Sequence, residues 1–207
     1  MTREQERTTN RNAIIAAATK RFLRDGIDKT TVAEIAEEAL LSAMSVYRYF
    51  GNKQAIAVAV ANHLLQEYLS EHRHRCAEAQ KPNETGHEAF ARIIRAYIET
   101  YEAHPEYVDF LQDIGYYSMR EGLSYDLDYM QFGSIHVDHI DRPARLALSQ
   151  GIKDGSIRSD IDLELVGLTL ANLLTGGVSF RGLINEKQQA AIIRQTAEMI
   201  IYYTKEA

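Results

Sequence analysis

Residues Thr30–Lys53 read TTVAEIAEEALLSAMSVYRYFGNK. Thr31 and Glu34 stand at capping-box spacing, so each side chain can satisfy the other's backbone N–H and start a helix. Ile35 and Ala36 give that helix, about Val32 to Ala39, one apolar edge. Ala36 is small where two helices must cross closely. A turn follows at Leu40-Leu41-Ser42, and Ser42 is the natural cap of a further short helix, about Ala43 to Phe50. Ile35, Ala36, Leu41 and Val46 can close the small core of a helix-turn-helix. The second helix is crowded with Met44, Ser45, Tyr47, Arg48 and Tyr49, yet is too short to bury a core of its own. Such a helix, set in a DNA major groove, presents its N-terminal residues to base edges and its flanks to phosphate. Tyr47 and Tyr49 can then face the nucleic acid. The alternative, stronger for Tyr49, is that they pack on the preceding helix.

Outward from this stretch, the periodicity is helical throughout, and no alternating Val/Ile/Thr run ends in an Asn-Gly or Asp-Gly turn. Upstream, Ile14, Ala18 and Phe22 recur at four-residue steps, and Gly26 is expected as a left-handed stop. Downstream, Asn52 can cap a long helix from Lys53 toward Glu78. The next helix carries Phe90, Ile94, Tyr97, Ile98 and Tyr101, and Pro105 suits the first turn of its successor. Pro143 interrupts a helical pattern from Leu123 to Lys153 and predicts a kink or break near Asp141. Lys153-Asp154-Gly155-Ser156 is a turn. Two apolar helices are expected at about Asp162–Arg181 and Glu186–Tyr203.

The stretch from Ile14 to Ile56, IIAAATKRFLRDGIDKTTVAEIAEEA followed by LSAMSVYRYFGNKQAI, resembles the DNA-binding domain of the tetracycline-repressor (TetR) family of bacterial transcription regulators. The resemblance implies an all-α fold with a three-helix DNA-binding domain over residues 1–54. A helical ligand-binding and dimerisation domain follows over 55–207. By resemblance, Ala43, Met44, Ser45 and Tyr47 fall where the family reads bases. Thr31, Ser42, Tyr49 and Lys53 fall where it grips phosphate, and Arg48 is a further phosphate candidate. Two positions depart from the family pattern, which often has Gly where Leu40 and Met44 stand. A left-handed turn residue other than glycine costs on the order of 1 kcal/mol, and Met44 can touch a thymine methyl.

Charge agrees with this division. The 207-residue chain carries a net −6, with +2 over residues 1–54 and −8 over the remainder. An acidic body repels DNA, whereas a mildly basic N-terminal piece need not. A single cysteine, Cys76, rules out an intrachain disulfide framework and fits a reducing compartment. The opening MTREQERTTN has no apolar run, so no secretory leader is expected, and Leu163–Phe180 falls short of a membrane span. A cytoplasmic protein without a cofactor is expected.

Tyr97, Tyr101, Tyr107, Tyr116, Tyr117, Tyr125 and Tyr129 crowd the middle of the chain, interleaved with Phe90, Phe110 and Phe132 and near Asp109 and Asp113. In the family these helices enclose a small-molecule pocket. Aromatic faces beside carboxylates suit a lipophilic cation, with Tyr97, Tyr101, Asp109, Phe110, Asp113, Tyr117, Tyr129 and His136 as its lining. The alternative is that most of these tyrosines belong to the core or surface. His136 with His139, and His72 with His74 and Cys76, lack the paired clusters of a strong zinc motif, so no metal is expected. No phosphate loop or nucleophile elbow is present, and no enzyme is expected. The last two helices are apolar on more than one side. By resemblance they form a four-helix bundle with a second copy, with Leu173, Gly176, Ile193 and Ile200 in the interface. The expected function is a ligand-responsive repressor released from a palindromic operator. The alternatives are a ligand-sensing module acting through a protein partner and a metal-dependent all-α enzyme.

Overall fold

The computed structural model describes residues 2–120, 141–176 and 184–206. Its elements are helices: α1 Arg3–Asp25, α2 Val32–Glu38, α3 Ala43–Phe50, α4 Lys53–Glu78, α5 Gly86–Ala103, α6 Pro105–Arg120, α7 Asp141–Asp154, α8 Leu163–Gly176 and α9 Glu186–Thr204. Among the described residues no helix is long and apolar enough to cross a membrane. The chain divides into two compact units. The first is Met1–Glu67 with the described part of Glu106–Tyr129, and the second is Tyr68–Pro105 with the described part of Met130–Ala207.

In the first unit, α1 buries Ile14, Ala17, Ala18 and Phe22. The Phe22 ring stacks on Phe110 of α6, with centroids 6.0 Å apart. Gly26 ends α1 at φ 83° and ψ 160°. That is a glycine conformation, as expected, but extended rather than left-handed helical. Thr31 caps α2 through the full reciprocal capping box with Glu34. Ile35, Ala36 and Val46 are buried, and Leu41 is half-buried. The expected core of the helix-turn-helix is therefore present.

The turn between α2 and α3 closes as a Schellman motif. Leu41 N–H donates to Ala36 O at 2.9 Å, and Leu40 N–H to Glu37 O at 3.1 Å. The motif requires a left-handed residue after the cap, and Leu40 takes it at φ 55°. Leu40 carries out a glycine's task with its side chain 92% exposed.

In the second unit α5 is central. Phe90, Ile94, Tyr97, Ile98 and Tyr101 are all buried. Gly86 lets α5 meet α7 closely, because a Cβ there would stand 2.0 Å from the Gly151 backbone nitrogen. Pro143 lies in the first turn of α7, where a missing N–H costs nothing. What precedes Asp141 lies outside the described residues. On the other side, α9 is tied to α5 by Arg95–Glu198 and Arg194–Glu102 ion pairs and by His87 Nε2, 2.8 Å from Ile201 O. The turn at Gly155, φ 76°, is the one expected from Lys153-Asp154-Gly155-Ser156.

Candidate nucleic-acid interface

The interface is built on α3. Ser42 Oγ accepts the Ser45 N–H at 3.2 Å, so the helix starts where its side chains are needed. Val46 alone is fully buried and pins one face inward. The opposite face therefore projects outward: Met44 is 78% and Tyr47 50% exposed, and Arg48 is exposed. Ala43 and Ser45 flank them, half-buried. The Arg48 guanidinium reaches Ser45 Oγ at 3.4 Å and lies 5.7 Å from the centroid of the Tyr49 ring. It has no carboxylate partner among the described residues. This face offers an apolar tip, a phenol, hydroxyls and a cation, which is chemistry suited to a groove floor and its phosphate walls.

Other proposed contacts have structural duties. Asn10 Nδ2 of α1 donates to Tyr49 Oη at 3.1 Å, so Tyr49 packs on the first helix, as its alternative reading has it. The Lys53 ammonium donates to Ile27 O at 2.9 Å, Thr30 O at 3.1 Å and Asp28 O at 3.3 Å. All three of its protons serve the α1–α2 loop. Thr31 Oγ1 donates to Glu34 at 2.7 Å while accepting the Glu34 N–H. Those bonds hold the Glu34 carboxyl below its ordinary range. The pattern around Thr31 was legible from i, i+3 spacing. The partners of Tyr49 and Lys53 are 39 and 26 residues away and gave no local signal. Asn10 was missed, although it continues the four-residue stripe of Ile14, Ala18 and Phe22.

The expected effector residues are divided between the two units. Tyr97 is at the centre of the second unit. Tyr68 Oη donates to its carbonyl at 3.3 Å, the two rings meet edge to face, and burial pushes the Tyr97 phenol far above its usual range. Tyr101 is buried in the same unit, while Phe110 is buried against α1 in the first. Asp109 is half-buried on α6. Asp113 and Tyr117 line a hollow of about 320 Å³ beside the α1–α2 loop, where the Arg120 guanidinium already lies 5.4 Å from the Tyr117 ring centroid. Tyr129 and His136 lie outside the described residues. A second hollow, about 460 Å³, is lined by Leu69, His72, Cys76, Ile93 and the basic side chains Arg73, Arg92 and Arg142. Its described lining holds no carboxylate.

Cys76 Sγ is 3.4 Å from His72 Nε2, but burial pushes the thiol up and the imidazole down in pKa. Both are therefore held neutral. His74 turns away to Glu78 at 3.3 Å. Among the described residues no group of three metal-ligating side chains gathers.

The interface residues proposed on the last helix need correction. Ile193 and Ile200 are only 3% and 8% exposed within their own chain, so almost nothing of them is left for a partner to cover. Their neighbours point outward instead: Ile192, Met199 and Tyr202 on α9, with Leu165 and Leu168 on α8. Leu173 is half-buried, and Gly176 ends α8.

Residues 14–60 match the family of bacterial regulatory proteins described as the tetR family. The HTH-type transcriptional regulator HbdR of Aromatoleum sp. (strain CIB) is 41% identical over 61 residues, 30% of this chain and 27% of that protein. The HTH-type transcriptional repressor AcnR of Corynebacterium glutamicum is 25% identical over 176 residues, 83% of this chain and 81% of its own length. The fold resembles the crystal structure of a tetR-family bacterial regulatory protein from Rhodococcus RHA1, with a TM-score of 0.68 at 20% identity. That match covers 96% of this chain and 98% of the other.

Proposed function

We infer that this chain is a member of the tetR family of bacterial regulatory proteins, whose model its residues 14–60 match, and a cytoplasmic repressor that binds a near-palindromic operator as a homodimer and is released by a small molecule. The observation that carries DNA binding is the face of α3, capped by Ser42, pinned by Val46 and exposing Met44, Tyr47 and Arg48. Two such helices must sit about 34 Å apart to enter successive major grooves. An effector that favours a dimer of another spacing shifts the population off DNA. A reversal from 1:99 to 99:1 requires roughly 5.5 kcal/mol of differential binding. Apolar side chains exposed on α8 and α9 support the dimer. The test is Tyr47→Ala, which is expected to weaken binding to a selected operator far more than to random duplex. Equal losses on both would sink the assignment.

For the effector, a lipophilic cation remains the proposal suggested by the tyrosine-rich middle of the chain with Asp109 and Asp113. A second reading, an anion with an apolar body, is favoured by Arg73 and Arg142 at a hollow also lined by Leu69, Ala77, Ile93 and Pro143, whereas Arg92 there is already paired with Glu84. A thermal-shift screen with matched quaternary cations and acyl carboxylates, followed by DNA release for each hit, separates the two.

A further inference from the structure

We propose that the first two turns of α1 are a second DNA-contacting element, which grips the phosphate backbone beside the recognition helix through Arg3 and Arg7. The proposal rests on α3 being the reading helix. The core of α1 begins at Ile14, yet the helix starts eleven residues earlier at Arg3. That extension is built to be helical. Thr2 Oγ1 accepts the Gln5 N–H at 3.2 Å, and Gln5 Oε1 accepts the Thr2 N–H at 2.8 Å, a complete capping box at the chain's exposed start. It has no core to serve, since residues 2–9 are all exposed.

The direction of the extension follows from its contacts. Asn10 donates to Tyr49 Oη at 3.1 Å, and the Arg11 guanidinium lies 4.6 Å from the centroid of the Phe50 ring. Both partners are at the C-terminal end of α3. Arg7 is three residues before Asn10 and four before Arg11, so it shares their face one turn further out. Arg3 repeats the step, roughly 12 Å beyond Arg11 at about 1.5 Å per residue. The face that packs on the recognition helix therefore continues past it as two arginines. Neither has a carboxylate partner among the described residues. Cations in the first turns also oppose the helix dipole, so they weaken the helix rather than support it. Their position is accounted for by an anionic surface lying against the end of α3, and a duplex seated on α3 is such a surface. Glu4 and Glu6 lie to either side of this face.

The experiment uses the full-length chain, a duplex selected from a random pool by the wild-type protein, and a scrambled duplex of equal length. Arg3→Ala with Arg7→Ala preserves helix propensity. It is expected to weaken both duplexes by the same factor. It should also make the dependence of log K on log salt shallower by ~0.9 for each phosphate contact removed, hence by about two per subunit. Glu6→Gln is expected to tighten both duplexes. Unchanged affinity and salt slope in the arginine variant, with Tyr47→Ala still losing operator binding, overturn this inference alone. If Tyr47→Ala binds the selected duplex normally, the reading-helix assignment and this inference fail together.

Discussion

Leu40 illustrates how much one residue can be asked to do against its own preference. The Schellman turn needs φ > 0, and a branched side chain with nothing to pack against supplies it at φ 55°. Left-handed backbone costs a residue with a Cβ roughly 1–2 kcal/mol, part of which glycine returns through its greater freedom when unfolded. Leu40→Gly is therefore expected to raise stability by about 1 kcal/mol in urea denaturation. A loss of stability would show that Leu40 makes a contact the turn geometry does not reveal. Lys53 is the opposite case, a charged residue whose protons all meet carbonyls of one loop. Lys53→Met is expected to lower stability by about 1 kcal/mol and to weaken DNA binding through a displaced α1–α2 loop. A variant of unchanged stability would return Lys53 to a purely phosphate-binding role.

At the scale of elements, α5 organises the second unit, and His72 of α4 is its buried imidazole. The ring is buried, 3.2 Å from Ile93 O, with Cys76, Arg73 and Arg92 around it. Burial lowers its pKa, a shift partly opposed by the bond to Ile93 and reinforced by the two arginines. Because the folded pKa lies below the unfolded one, the unfolded chain takes up the proton first. Stability from a neutral His72 is then complete above the unfolded value near pH 6.5 and declines as pH falls from there toward the folded pKa. His72→Gln is expected to flatten the stability profile between pH 7 and pH 5.5, measured by thermal denaturation. A profile as steep as that of the wild type would assign the step to another group.

For the whole molecule, assembly depends on which side of α9 is free. Met199, 63% exposed, and Leu168 lie on the apolar surface that the fold leaves uncovered, while Ile193 faces inward. Met199→Glu with Leu168→Glu is expected to give a folded monomer in sedimentation velocity, with operator binding lost. Ile193→Asp is expected to unfold the chain instead, because a carboxylate at a buried site has no partner. A folded dimer in the double variant would move the interface to a different surface.

What the amino-acid sequence determined was whatever depends on neighbours within about one helical turn. Thr31 with Glu34, Ser42 with Ser45, Asn52 with Ala55 and the Gly155 turn are set by i, i+3 spacing and by glycine's torsional freedom. They fixed the helix-turn-helix and most helix boundaries. The outward face of α3 followed, because a short helix with one buried valine has only one other side to show. Tertiary structure decided which of two adjacent apolar residues, Ile192 or Ile193, turns inward. Successive residues on a helix are about 100° apart, and when both are isoleucine the sequence carries no preference. It also decided that the Lys53 ammonium holds a loop and that Tyr49 is tied to Asn10. Those partners are brought together only when α1, α3 and α4 pack, by closing chain segments far longer than any local motif can specify.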